Sequence, residues 1–228
     1  TNKNFTVFLQ THPESKLAAS GLESSKYAQE LKANPTRYVV KLSKEFNLSR
    51  SSNFSPAFYD KNADALYFTS NRKFDKKNIV RKNNGVSGQP NNHIFSSKKD
   101  SKGKWEKVEL APGEINTLND EGVASFTSDG RSMFLTRSNT VEDAGNGIVI
   151  MESNRAGGTW GAPLVVKLFN DSTISVAHPA ISPDGEILYF VSDAPGGYGE
   201  NDIWKATKIG EVWGAIENLG PDINTEGN

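Results

Sequence analysis

The residues best suited to proton transfer or metal binding near neutral pH are the three histidines, His12, His93 and His178. None stands at a spacing that supplies a second ligand or an orienting partner. His12 belongs to a helix start, His93 sits at a strand start and His178 heads a strand. The chain holds no His-Glu-x-x-His, no Gly-x-Ser-x-Gly and no Walker loop. Carboxylates offer a different chemistry, because a pair set around a channel can hydrolyse glycosides. The candidates are Asp120, Glu121, Asp129, Asp184 and Asp202. Asp129 and Asp184 precede Gly130 and Gly185 at the same place in a repeated unit, where aspartate is wanted for a turn. Repetition argues for geometry, whereas a catalytic site needs asymmetry. Calcium held by acidic loops, for example by Asp120 with Glu121, stays open because oxygen-ligand sites have no strict spacing outside known motifs. The glycines of "APGGYGEND", 194–202, lack the following helix that a phosphate cradle requires, and read as a hairpin loop. The residues therefore assign no catalytic, cofactor-binding or metal role, and no cofactor is expected.

The elements that carry these residues are set by an internal repeat. Three segments align: "PAFYDKNADALYFTSN" from Pro56, "ASFTSDGRSMFLTRSN" from Ala124 and "PAISPDGEILYFVSDA" from Pro179. Their apolar anchors are Phe58, Phe126 and Ile181, then Tyr67, Phe134 and Tyr189. Each unit continues with an Ile-containing run ("HIF" at 93, "GIV" at 147, "DIW" at 202) and then a tryptophan, Trp105, Trp160 or Trp213. An echo closes two of them, "GEINTLNDEG" from Gly113 and "GPDINTEGN" from Gly220. Short alternating runs rich in Val, Ile, Tyr, Phe and Trp, bounded by Asp-Gly, Gly-Gly and Asn-Thr, are strands joined by tight turns. About four strands per unit is the count of one propeller blade. Asp129-Gly130 and Asp184-Gly185 are then structural hairpin turns. Tyr67, Phe134, Tyr189, Trp105, Trp160 and Trp213 are blade packing, since a lone blade cannot bury both faces.

The expected fold is all-β: a β-propeller of four-stranded antiparallel blades over 34–228, with units near 54–121, 122–176 and 177–228. "TRYVVKLSKEFNLSRSSNFSP", from Thr36, reads as the last two strands of a further blade, so the chain supplies about three and a half. A closed ring needs about four to eight, which implies a longer ring completed by blades not in this chain. Residues 1–33 form a short helical segment: Phe5, Phe8 and Leu9 have helical spacing, Pro13 and Glu14 suit a first turn, and a second run reaches Leu31. Gly21 weakens that second helix, and Pro35 ends it.

Composition narrows the classes. The 228 residues contain no cysteine, which excludes disulfides and Cys-ligated zinc. No run approaches the roughly 18 apolar residues of a membrane span. The N-terminus has no signal-peptide pattern, so the chain is expected to be cytosolic, or else a processed or excised fragment. The net charge of −1 hides an asymmetry: 1–110 carries 20 Lys/Arg against 10 Asp/Glu, and 111–228 carries 6 against 17. The basic half has few interleaved aromatics and no recognised module, so nucleic acid is not an expected partner.

The unit "HPAISPDGEILYFVSDAPGGYGENDIWKA" resembles the TolB-like, WD-type propeller repeat in which Ser-Pro-Asp-Gly makes the first hairpin and Asp-Ile-Trp the third strand. Combined with "FLQTHPESKLAASGLESSKYAQELKANPTRYVVK" and "LGPDINTEG", it resembles PorE-like envelope proteins of the type IX secretion system. These run tetratricopeptide repeats, propeller, carboxypeptidase-regulatory-like domain and OmpA-like peptidoglycan-binding domain. The resemblance implies that 1–33 ends a tetratricopeptide region. It implies a periplasmic, outer-membrane-associated, non-enzymatic scaffold whose partners are envelope or secretion proteins. Peptidoglycan would be reached only through a domain not in this chain. The competing reading is a carbohydrate-binding or glycan-hydrolysing propeller. The first unit departs from the pattern: "DKNAD", 60–64, replaces the Asp-Gly turn, and a long basic loop follows the second strand. Long rim loops usually carry binding. The expected protein-contact loop therefore spans 72–92, with Arg72, Lys73, Lys76, Lys77, Arg81 and Lys82.

Overall fold

The computed structural model describes residues 2–59, 61–74, 83–84, 88–138 and 147–227. They divide into two compact units, Thr1–Ser43 and Lys44–Asn228. In the first, α1 (Asn2–Thr11) and α2 (Lys16–Ala33) form a helical hairpin. Ser15 caps α2, its hydroxyl accepting from the Ala18 amide at 3.3 Å. The helix thus begins after Pro13 and Glu14, not on them. Gly21 is explained by contact: a β-carbon there would lie 2.5 Å from the Phe5 ring, so the glycine admits α1. That close approach offsets the roughly 1 kcal/mol a mid-helix glycine costs.

The second unit is built of three antiparallel sheets in chain order, each a meander. Blade 1 contains β1 (Asn53–Phe58), β2 (Ala65–Ser70), β3 (His93–Lys98) and β4 (Glu109–Leu110). Blade 2 contains β5 (Glu121–Phe126), β6 (Ser132–Ser138), β7 (Ile148–Ala156), β8 (Thr159–Trp160) and β9 (Leu164–Val165). The last two both pair with β7. Blade 3 contains β10 (Val176–Ile181), β11 (Ile187–Ser192), β12 (Asp202–Ile209) and β13 (Val212–Asn218). Both β1 and β10 pack against β5, so the sheets converge on their first strands. This is propeller-type packing of consecutive blades.

The first strands share a defect that the alternation rule does not foresee. Each is bulged at its third residue, and the register shifts there against the second strand. Ser55, Val123 and His178 occupy these positions with φ of 49°, 51° and 54°. A positive φ at a β-branched residue such as Val123 is strained. The neighbouring blade holds it: Thr69 Oγ1 on β2 accepts the Val123 amide at 2.9 Å, and Thr136 Oγ1 on β6 accepts the His178 amide at 2.9 Å. The extra residue kinks the inner strand and turns an amide toward the preceding blade.

The repeat anchors form aromatic junctions. Between blades 1 and 2, Tyr67 meets Phe126 and Trp160 at ring separations of 5.0 and 6.2 Å, and Trp160 Nε1 donates to Tyr67 Oη at 3.0 Å. Between blades 2 and 3, Phe134 meets Trp213 at 5.9 Å, edge to face. Each junction takes a second-strand ring from one blade and a tryptophan from the next. Trp160 and Trp213 lie within fourth strands, not before them.

Two expectations are corrected. Tyr189, at the position of Tyr67, is 37% exposed where Tyr67 is 1% exposed. It is not blade filler among the described residues, because no blade lies against its side of β11. Trp105, at the leading side of blade 1, is half-buried for the same reason. Residues 36–52 form no strand, and Tyr38, Val39, Val40 and Leu42 are exposed. The expected Asp-Gly turns are present: Gly130 and Gly185 have φ of 66° and 80°. The Asp129 carboxylate accepts from Thr127 Oγ1 at 2.7 Å and from the Arg131 amide at 3.0 Å.

Candidate interaction surface

The basic loop leaves blade 1 at the end of β2 and returns at β3. Lys76, Lys77, Arg81 and Lys82 lie outside the described residues. Lys73 is exposed. Arg72 is not a surface residue. Its Nη2 donates to the Phe46 carbonyl and to Asn53 Oδ1, the latter at 2.6 Å, and its Nε donates to Ser70 Oγ at 3.2 Å. The guanidinium lies 4.7 Å from the Phe68 ring centre and 5.3 Å from that of Phe95. Burial lowers its pKa from the ordinary arginine value. Arg72 thus ties the crossover through Phe46 to the start of β1, a structural role that spacing alone does not reveal. Lys73 and Phe74 border an open cleft of about 900 Å³ whose floor includes Phe95 and Trp105.

The far end of the loop is pinned. Asp120 accepts from Asn92 Nδ2 at 3.0 Å and Asn84 Nδ2 at 3.4 Å, and Asn91 Nδ2 donates to the Leu118 carbonyl at 3.0 Å. Asparagine side chains thereby fasten the loop base to the turn that opens blade 2. Beneath them lies a buried ion cluster. Glu121 is fully buried, and its Oε2 lies 3.0 Å from His93 Nδ1. A carboxylate only accepts, so this contact places the proton on Nδ1. Glu121 Oε1 accepts from the Thr117 amide at 3.0 Å and from the Thr117 hydroxyl. Arg137 Nε stands 3.3 Å from the same oxygen, an ion pair out of hydrogen-bond alignment, while its Nη2 donates to the Ile115 carbonyl at 2.9 Å. Phe74 closes over His93 edge-on at 4.8 Å.

The cluster holds a cation, an anion and an imidazole, of which His93 and Glu121 are buried while Arg137 also lines an open cleft of about 590 Å³. It joins blades by charge, and it anchors one end of the loop. Two further residues belong to this frame. Asn116 accepts from the Ile94 amide at 2.8 Å and donates to the Ile94 carbonyl at 3.0 Å. Asn224 does the same to Ile203, at 2.8 and 3.0 Å. The Ile-Asn-Thr echo in the sequence is the available signal for this clasp.

The remaining candidates separate. His12 stacks on Phe8 at 4.4 Å, and His178 sits exposed on its bulge. Asp184 accepts from Ser182 Oγ within its own turn, which holds its carboxyl below the usual range, as Thr127 does for Asp129. Asp202 is buried and accepts from Asn218 Nδ2 at 3.0 Å and from the Tyr198 amide, organising the 194–202 loop. Among the described residues no group of three or more His, Asp or Glu converges as a metal site. Among them, too, no helix is long and apolar enough to cross a membrane.

No family model and no curated protein matches the chain. One solved structure similar to it is TolB from Acinetobacter baumannii. The identity is 22% and the TM-score 0.45, over 76% of this chain and 33% of that one. A prolyl endopeptidase structure is similar at 14% identity and a TM-score of 0.35, over 76% of this chain and 28% of that one. The chain therefore spans about a third or less of either.

Proposed function

We propose that these blades are part of a larger propeller acting as a non-enzymatic scaffold in a bacterial cell envelope, with its first-blade loop presented to envelope or secretion proteins. The observation that carries this reading is the use made of the polar residues. The carboxylates a channel enzyme would need are committed to turns, loop caps and the Glu121 cluster, while the loop between β2 and β3 is fastened at both ends and left with Lys73 outward. A charged loop on a rigid frame speeds encounter with an acidic partner, and binding energy then comes from a few apolar or arginine anchors. The envelope setting, type IX secretion and an outer-membrane association are implied by the motif resemblance alone. Further blades are the nearest partners, and peptidoglycan would be reached only through another domain.

Crosslinking and pulldown from envelope extracts test the proposal. Lys73, Lys76, Lys77, Arg81 and Lys82 are reversed to glutamate, and Arg72 is kept because its reversal would break the β1–β2 corner. Loss of the captured proteins is expected. An unchanged set, or retention by envelope glycan alone, overturns the assignment of the loop.

A further inference from the structure

In blades 1 and 3 the loop that leaves the outer strand carries an asparagine clasp. The loop after β4 starts with the Ala111 amide on the Ile94 carbonyl, and five residues later Asn116 grips the Ile94 amide and carbonyl. The loop after β13 starts with the Leu219 amide on the Ile203 carbonyl, and five residues later Asn224 grips Ile203 in the same way. Both asparagines are buried. The loop after β9 also starts alike, with the Val166 amide on the Ile150 carbonyl at 2.9 Å, but five residues later stands Asp171. What is Ile-Asn-Thr at 115–117 and 223–225 is Asn-Asp-Ser at 170–172. A carboxylate has no N–H to give the Ile150 carbonyl. Asp171 is exposed and instead accepts from the Thr173 amide and hydroxyl, at 2.9 and 2.7 Å. Loop length is not the cause, since Glu121 and Val176 open the next inner strands at equal intervals from Ala111 and Val166.

Three observations meet at this loop of blade 2. The Ile150 amide, whose counterparts at Ile94 and Ile203 bond an asparagine oxygen, has no acceptor among the described residues. Its neighbours Val149 and Met151 line the open cleft of about 590 Å³, together with Val166, Leu168 and Asp171 of the loop. Arg137 lines the same cleft at 8% exposed, and its Nε, 3.3 Å from Glu121 Oε1 but out of alignment, makes no hydrogen bond. We infer that the cleft is a binding site for an asparagine side chain on an extended peptide of a partner protein, held as blades 1 and 3 hold their own asparagines. The carboxamide oxygen accepts from the Ile150 amide, and its NH2 donates to the second lone pair of the Ile150 carbonyl. Arg137 Nε supplies a further donor for a main-chain carbonyl of the same peptide. Val149, Met151 and Ile174 offer apolar walls to the residue before the asparagine, as Ile115 is fully buried before Asn116. The inference rests on the blade reading and not on what the basic loop binds.

The probe is a synthetic peptide, Gly-Pro-Asp-Ile-Asn-Thr-Glu-Gly, the sequence of 220–227, labelled at its N-terminus with a fluorophore. Anisotropy titration with the 228-residue chain is expected to show saturable binding. The same peptide with aspartate or leucine in place of asparagine is expected to bind roughly ten-fold more weakly, because it forfeits hydrogen bonds to buried groups. Amide-resolved NMR should show the Ile150 N–H shifting on titration, while that of Ile94, whose acceptor is Asn116, stays in place. A variant then closes the cleft with the chain's own clasp: Asn170→Ile, Asp171→Asn and Ser172→Thr together should abolish peptide binding and raise the unfolding midpoint. Asp171→Asn alone, the smaller change, should weaken binding at least several-fold if the triple variant does not fold. No saturable binding, equal affinity for the asparagine and aspartate peptides, or undiminished binding by a folded variant carrying the clasp would each overturn the proposal. The charge reversals of the pulldown leave all these residues untouched, so either result can fail while the other stands.

Discussion

Tyr67 and Tyr189 occupy one position of the repeat and face opposite fates. Tyr67 is enclosed by Phe126 and Trp160 of the following blade, whereas Tyr189 stands at the edge of blade 3 with a third of its surface open. Nothing in either strand differs enough to account for this, since "ALYFTS" and "ILYFVS" match at most of their places. Burial in a blade protein is therefore a property of the junction, not of the strand. The largest expected effect comes directly from this contrast. Tyr67→Ala should cost about 3–5 kcal/mol in urea unfolding, by the loss of a buried ring and the cavity it leaves. Tyr189→Ala should cost less than about 1 kcal/mol in the same chain. Equal costs would show that the edge of blade 3 is covered in solution.

The two internal junctions differ from each other as well, and the difference separates charge from shape. Glu121, Arg137 and His93 meet at the first. At the second, the positions of Glu121 and Arg137 hold Val176 and Ser192. A buried ion cluster is thus not a requirement of the fold. Glu121→Val should cost about 3–5 kcal/mol because Arg137 loses its counter-charge in a buried place. Adding Arg137→Ser, which copies blade 3, should recover most of that loss, as apolar replacement of a whole buried pair is often neutral. A double variant as unstable as the single one would mean that the cluster does more than balance its own charges.

The legible part of this molecule is the part that repeats. Asp-Gly turns, strand alternation and the aromatic anchors are local chemistry, and three copies make them readable as blades. Long-range geometry is not legible. Spacing marks Arg72 as the first cation of a basic loop, yet the Phe46 carbonyl and Asn53 draw it inward, and both belong to segments that turns and bulges bring near. The Val123 and His178 bulges break the period-two pattern that strand reading depends on, and their amides are accepted by threonines 54 and 42 residues away. Thr36 to Pro56 reads as two strands because its composition is strand-like. Strand propensity describes fit to a half-buried pleated surface, and that surface is not among the described residues.

Those threonines give a smaller comparison. Thr69 and Thr136 each accept a bulge amide, while the third position holds Val191, which has no hydroxyl. Thr136→Val should cost about 1–2 kcal/mol, since it leaves the His178 amide without its acceptor while nearly preserving shape. Val191→Thr should change stability by less than about 0.5 kcal/mol, because no described blade supplies an amide there. A marked gain from Val191→Thr would instead reveal a neighbour on blade 3.

The smallest effect reads the same junction by titration. Burial raises the Tyr67 phenol above its ordinary value of 10.0, outweighing the hydrogen bond from Trp160 and the nearby Arg155 charge, both of which lower it. A raised folded pKa means that the unfolded chain releases its proton first. The stabilisation is complete below the unfolded value and falls as pH climbs past about 10 toward the folded one. Tyr67→Phe removes this alkaline dependence together with the Trp160 bond, so its unfolding midpoint should start lower at about pH 8 and decline less steeply above about pH 10. If Tyr67→Phe leaves the alkaline slope unchanged, the ring is not enclosed by Phe126 and Trp160 in solution, and the contrast between an enclosed junction and an open edge fails.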